Sequence, residues 1–337
     1  MGEEDVLTAQ DSPDSQSPRT SDTSTSAKEQ PVLEVPAEDY RGVAAPSFDV
    51  SVPSPARMYD YFLGGKDNFA ADREAAERAL SVVPFGREVA RANRQFLVRA
   101  VEFMARNGID QFIDLGTGIP TRPNVHEVAR AIHPDARVLY VDNDPMVYAH
   151  AQALLATTPG VAAIHGDIRC PQALLNYPGT SDLIDFTRPV GVLFVAVLHF
   201  LTDDDQPRES VAAFRWRMAS GSMVAVSHIT SDGTPPGVQA AIQDAYASAS
   251  SSAVFRSKQE IKAFFGGLDL VEPGLVEVGA WRSLCAASPA PLRFLGGVAR
   301  KELAIMRHCV GAAVGCDNWV PSRRRRGAGR RRPRSLR

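Results

Sequence analysis

Cysteine is scarce: the 337 residues hold four, at Cys170, Cys285, Cys309 and Cys316. Cys309 and Cys316 stand seven apart, which matches no common zinc spacing, so reduced structural thiols are expected. The seven histidines are dispersed, with no close pair beside a carboxylate cluster, and no metal site is expected from them. No apolar run reaches the ~18 residues of a membrane span. The chain begins Met-Gly-Glu-Glu-Asp, without the basic region or apolar core of a secretory signal, and a cytoplasmic protein is the default expectation. No internal repeat is visible.

Charge of one sign is missing from one segment only. Residues 321–337 contain nine arginines and no acid, so of 37 basic and 39 acidic side chains the other 320 residues hold 28 and 39, a net of −11. An acidic body makes few phosphate contacts and is a poor polyanion binder. The basic tail is an appendage, and a nucleic-acid role is expected only through it, if anywhere. Residues 1–47 are rich in Ser, Thr, Asp, Gln and Pro and cannot bury enough surface to offset their ordering entropy, so disorder is expected there. An apolar content of 44% leaves ample material for a core between the two ends. The expected organisation is a disordered segment 1–47, a helical cap 48–110, an α/β domain 111–301 and an irregular Arg-rich tail 302–337.

Within the cap, Ser54-Pro55 reads as a helix start with Ser54 as N-cap, carrying the chain to Gly64-Gly65. A second helix is expected over 69–80. A third, over 87–106, places Val89, Phe96, Leu97, Ala100, Val101 and Met104 on one face. From Gln111 the period changes to short apolar runs alternating with helical segments, which implies βαβ units and a mostly parallel sheet. Strands are expected at 111–115, 137–142, 161–165, 190–197, 222–228, 268–278 and 292–298. Helices are expected near 123–132, 145–156, 170–176, 207–219, 235–249 and 257–265.

Three of these strands run into acids. Phe112-Ile113-Asp114-Leu115 opens into Gly116-Thr117-Gly118-Ile119-Pro120-Thr121, the second strand ends on Asp142, and the third leads to Gly166-Asp167-Ile168. Repeated at successive strand ends, this pattern describes a carboxyl edge that holds a nucleoside. Asp142 can accept both ribose hydroxyls, and Gly116 and Gly118 allow close backbone approach. Asp167 and the Ile168 N–H suit an adenine edge; Asp114 either receives an ammonium group, directly or through water, or caps the turn. Asp144, in Asp-Pro, is either a further ligand or a helix start. The third glycine of a dinucleotide fingerprint is absent, since Thr121 stands there after Pro120, which favours S-adenosylmethionine over NAD. His199, after the fourth strand, is either a general base or a satisfied structural group.

The segment from Ala56-Arg57-Met58-Tyr59-Asp60-Tyr61-Phe62-Leu63-Gly64-Gly65-Lys66-Asp67-Asn68 to Arg73 closely resembles the signature of a bacterial S-adenosyl methyltransferase family common in actinobacteria and long catalogued as a domain of unknown function. The blocks Asp114 to Thr121, Tyr140 to Pro145 and Ala196 to Leu201 resemble the same family, and the match covers roughly residues 50–301. The resemblance implies a Rossmann-like class I methyltransferase: a mostly parallel seven-stranded sheet with a late hairpin, helices on both faces, an N-terminal helical lid, and S-adenosyl-L-methionine as cofactor. It leaves the methyl acceptor undefined, and the acidic body favours a small molecule. Arg57, Tyr59, Tyr61, Lys66, Asp67 and Asn68 are expected to line the acceptor side as a lid hinged at Gly64-Gly65, with Asn93 and Arg94 as wall residues. The chain departs from the family in Ser283 to Ser288, where an acidic, proline-rich loop is expected, and in residues 302–337, to which no family function transfers. Competing readings are an NAD-dependent oxidoreductase and a non-catalytic binding protein docking through its tail. A macromolecular methyltransferase is a third, but no Asn-Pro-Pro-Tyr-type block of the adenine-methylating kind follows the fourth strand.

Overall fold

Runs of five to eight Val, Ile, Leu and Ala residues bury both faces of a strand only when helices cover each side of the sheet. The computed structural model describes residues 49–283 and 290–302 and shows that arrangement. Three helices come first, α1 (Pro55–Leu63), α2 (Ala70–Val82) and α3 (Gly86–Arg106). Then follow β1 (Gln111–Leu115), α4 (Val125–Arg130), β2 (Arg137–Asp142), α5 (Pro145–Leu154), β3 (Val161–His165), α6 (Pro171–Asn176), α7 (Pro178–Leu183) and β4 (Gly191–Val195). The chain closes with α8 (Pro207–Arg217), β5 (Met223–Thr230), α9 (Pro236–Tyr246), α10 (Lys258–Ala263), β6 (Asp269–Leu270), β7 (Val276–Glu277) and β8 (Arg293–Arg300).

The sheet order is β3-β2-β1-β4-β5-β8-β6, with β7 also on β8; the first five strands are parallel and β8 runs antiparallel to β5, β6 and β7. Chain direction along the sheet reverses between β1 and β4, which opens a crevice at their carboxyl ends. Alternating side chains build a core on each face. Phe112, Tyr140 and Leu193 point toward the side holding Met58, Phe96 and Met104 of the first three helices. Ile113, Leu139 and Phe194 join Phe214 and Phe264 on the other. The face expected on α3 is the buried one.

The sheet has eight strands and not seven. The single strand expected over 268–278 is two short ones, because Pro273 has no N–H for a ladder and Gly274 turns the chain at φ 83°. The fourth strand stops at Val195, two residues early, since Ala196 takes a left-handed φ of 56°. Helix α7 was not expected. Ser54 stands at the N-cap of α1 but makes no capping bond; its hydroxyl donates to the Asp144 carboxylate, a charged and therefore stronger acceptor, at 2.6 Å. The disorder expected over 1–47, nearly all of the Ser283–Ser288 departure, the Arg-rich tail, and Cys285, Cys309 and Cys316 lie outside the described residues.

Candidate functional site

The carboxyl ends of the parallel strands open into a cavity of about 450 Å3. Asp114, Gly116, Thr117 and Gly118 line it after β1, Asp142 to Asp144 after β2, Gly166 to Arg169 after β3, and Val195 to Val197 after β4. Helices α1 and α3 wall it through Tyr59, Asn93, Arg94 and Leu97, and Phe200, Leu201, Ser250 and Ser251 complete the boundary.

Asp142 accepts the Gly118 N–H at 2.8 Å and the Asp144 N–H at 3.0 Å. An ionised carboxylate has about four acceptor positions, so two stay open for a ligand diol. Burial pushes the Asp142 carboxyl up to about 6, against the pull of the Asp144 and Gly118 N–H groups. Asp114 is pushed up to about 7, again by burial; Arg94 opposes the shift and the Asp142 charge adds to it. Burial would raise Asp167 as well, but Arg169 outweighs it and holds the carboxyl below its ordinary value. Arg169 Nε lies 3.0 and 2.9 Å from the two Asp167 oxygens. The Ile168 N–H lies on the wall and meets no acceptor among the described residues.

Gly116 and Gly118 both have left-handed φ, 72° and 66°. At Gly118 a Cβ would enter open space, whereas at Gly116 it would stand 2.3 Å from Val197 Cγ2. Gly116→Ala should therefore displace the β4 tip and cost about 1–3 kcal/mol, with cofactor affinity falling in parallel. Thermal unfolding alongside a ligand titration checks this, and wild-type values for both would refute the close-approach argument.

The structure gathers Asp114, Gly116, Gly118, Asp142, Asp144, Asp167 and Ile168 around one cavity, with Tyr59, Asn93 and Arg94 opposite. Asp144 is already committed. It caps α5 through the Met146 N–H at 2.9 Å, accepts Ser54, and stands 3.6 Å from Arg57 Nη1. Arg57 ties the cap together and does not line the cavity; its Nε bonds Asp72 at 2.9 Å. Tyr61 bonds Glu77 on α2. Lys66 is exposed, while the Asp67 N–H and Asn68 Nδ2 fold back onto Asp60 at 2.9 and 2.8 Å. None of these four reaches the cavity wall.

His199 is also displaced. Its ring sits in a separate apolar pocket, 4% exposed, against Phe200, His228 and Phe294. Burial, then the neighbouring His228 and Arg256, hold it well below the ordinary histidine range, which does not suit a general base facing the cavity. The turn at Ala196 is the reason: it carries the chain into a 3-10 turn, Leu198–Phe200, that presents Phe200 and Leu201 to the cavity instead.

Sequence reasoning missed a buried relay behind the wall. The Ala196 N–H donates to Ser227 Oγ at 2.9 Å, Ser227 to Asn93 Oδ1 at 2.6 Å, Asn93 to Tyr59 Oη at 2.9 Å, and Tyr59 to the Ala90 carbonyl at 2.9 Å. It fixes cap, wall and β4 tip as one unit. Ser250 and Ser251 were missed as well; only a serine-rich run marks them, and a bond from the Ser250 N–H to the Pro53 carbonyl brings them to the cavity.

The model of the S-adenosyl methyltransferase family matches residues 41–302. The chain belongs to that family. Two solved structures are similar along nearly their whole length. One is a Thermobifida fusca YX protein described as a methyltransferase, with 41% identity over 76% of this chain and 98% of the other, and a TM-score of 0.71. The second is a DUF574 family protein from Streptomyces avermitilis MA-4680, with 38% identity over 76% of this chain and 100% of the other, and a TM-score of 0.71. No curated protein matches this chain. The methyltransferase takes S-adenosylmethionine as its cofactor, and the NAD-dependent reading falls away. The family match ends ahead of the arginines of the tail. Among the described residues, no helix of the methyltransferase is long and apolar enough to cross a membrane.

The site's chemistry fits that cofactor. Asp142 offers two open acceptor positions and Ile168 a donor without an acceptor. Gly118 leaves room for close approach, and the buried Arg94 Nε has no partner among the described residues.

Proposed function

We propose that this methyltransferase acts on a small molecule held between the cofactor and the helical cap. The observation that carries the reading is the placement of the cavity: nucleoside-type ligands line one side, and α1 and α3 enclose the other. Asp142 takes the ribose diol, Ile168 and Asp167 the adenine edge, and Arg169 yields part of its hold on Asp167 to the adenine amine. Asp114 faces the ammonium of the amino-acid end and Arg94 its carboxylate. Tyr59, Leu97, Phe200, Leu201, Ser250 and Ser251 are then left for the acceptor. No carboxylate stands among them, and the enclosure suits a small ligand more than a chain or a duplex.

When bound, the cofactor supplies a sulfonium-activated methyl group. What the protein contributes is alignment and exclusion of water, which can lower the barrier without a strong base. The bond from Ser54 to Asp144 and the Tyr59–Asn93–Ser227 relay make the cap a fixed wall, so orientation is set before the acceptor arrives.

Calorimetric titration with S-adenosylhomocysteine, with NAD as control, tests the cofactor half of this reading. Binding should strengthen with pH. Asp142 must be ionised to accept two hydroxyls, and its carboxyl sits at about 6, with Asp114 at about 7 acting in the same direction. Below about pH 6 the affinity should fall by up to ~10-fold per pH unit for each of the two carboxyls, and Asp142→Asn should remove the part due to Asp142. A wild-type affinity constant from pH 5 to 8 would remove Asp142 and Asp114 from the ligand set.

A further inference from the structure

Beside the main cavity lies a second space of about 70 Å3, walled by α1, α2, α3, α9 and the start of β8. A single water needs roughly 10–15 Å3 on this scale, so there is room for one ring or a short branched chain. Its lining is apolar, from Phe62, Val89, Ile229, Ile242 and Leu292. Tyr59 and Phe200 belong to both walls, so the small pocket adjoins the acceptor side of the large one, with these two side chains between them. Three polar side chains interrupt the apolar lining: Tyr59, which is bonded to Asn93 and the Ala90 carbonyl, Tyr246, and His199. His199 is buried at this wall, and its Nδ1 has no partner among the described residues. Leaving a buried imidazole nitrogen unsatisfied costs free energy, whereas an apolar side chain there would cost nothing of the kind.

From this geometry we infer that the pocket receives the apolar end of the methyl acceptor, a compact ring or branched group carrying one neutral hydroxyl or amine that hydrogen-bonds His199. The inference rests on the small-molecule reading above and adds the acceptor's chemical class. The imidazole is neutral, so one nitrogen donates and the other accepts, and it can serve a hydroxyl in either direction. A charged group is disfavoured, since no charged side chain stands on this wall to offset its desolvation. The acceptor is therefore amphipathic: its apolar end passes Tyr59 and Phe200, and the atom to be methylated stays in the large cavity.

Phenol is the probe. Titrated into the full chain, it should bind saturably and shift the His199 ring resonances, and toluene should bind more weakly and shift them less. Ala253→Leu, which narrows the pocket from the segment after α9, should weaken phenol at least about tenfold and leave S-adenosylhomocysteine affinity within about twofold. His199→Phe should abolish the preference for phenol over toluene without lowering toluene affinity, which separates the hydrogen bond from packing. Phenol should still bind when S-adenosylhomocysteine is saturating. Absence of saturable phenol binding, insensitivity to Ala253→Leu, or mutual exclusion with S-adenosylhomocysteine would each overturn the inference. Failure of S-adenosylhomocysteine to bind the wild type would instead overturn the cofactor assignment, and the phenol result would still report on the pocket.

Discussion

Asp142→Ala is expected to weaken S-adenosylhomocysteine binding by roughly 10- to 150-fold. The figure follows from about 1.5–3 kcal/mol for hydrogen bonds to a charged acceptor, converted to affinity. Two of the carboxylate's positions are used inside the protein, by the Gly118 and Asp144 N–H groups. Alanine therefore loosens the glycine turn as well as removing the diol acceptor. Asp142→Asn keeps one acceptor oxygen and the side-chain volume, so it should fall between alanine and wild type. Stability should move the other way. The folded protein raises the Asp142 carboxyl from 3.8 to about 6, so its contribution is complete below about 3.8 and is lost as pH rises through 6. At pH 8 the unliganded asparagine variant should be no less stable than wild type while binding ligand less well. Unfolding curves at pH 5 and pH 8, beside calorimetry, give both readings, and an unchanged dissociation constant in the alanine variant would end the assignment. A group that binds while costing stability is placed for its ligand and not for the fold.

The residues that gather at the candidate cofactor edge were legible in the sequence because each piece is local. A strand ending in Asp142, a Gly-x-Gly turn and the Asp167-Ile168 pair are each written in consecutive residues, and a parallel sheet brings successive strand ends to one edge. The acceptor side was less legible, because it depends on where chain segments far apart in sequence come to rest. His199 occupies the position at which a strand-end residue faces the ligand, but Ala196 adopts a left-handed conformation with no glycine to mark it. That one backbone torsion moves His199 into its own pocket and brings Phe200 to the cavity. The charged residues of the N-terminal signature were misread for a similar reason. Arg57, Asp67 and Asn68 look like ligands in a list of polar residues, yet Arg57 pairs with Asp72, and the Asp67 N–H and Asn68 bond Asp60 inside the cap. Buried polar groups must be paired, and the sequence does not show which partners are protein and which are ligand.

Asp72→Ala should be the most destabilising single change in the cap, although Asp72 lies outside the cavity wall. Its carboxylate is fully buried and receives Arg57 Nε at 2.9 Å, the Phe69 N–H at 2.8 Å and the Ser54 N–H at 2.8 Å. Alanine removes an acceptor from two backbone donors and leaves the Arg57 guanidinium buried beside the Val52 carbonyl and the more distant Asp144. Breaking a buried pair from one side costs about 3–5 kcal/mol, since the remaining charge keeps its desolvation penalty. At roughly 2–4 °C per kcal/mol for a domain of this size, the melting temperature should drop by about 6–20 °C. Removing both charges should cost less than removing one, so Arg57→Met combined with Asp72→Leu should recover at least half of the loss. Calorimetric melting of the two variants decides the point. A drop below about 2 °C for Asp72→Ala, or no recovery in the double variant, would show that the pair does not hold the cap. Ligand affinity should follow stability here, because Ser54 and Arg57 also hold Asp144 at the start of α5, next to Asp142. Arg57 and Asp72 thus act on the candidate cofactor edge from outside the cavity wall, through the geometry of one turn.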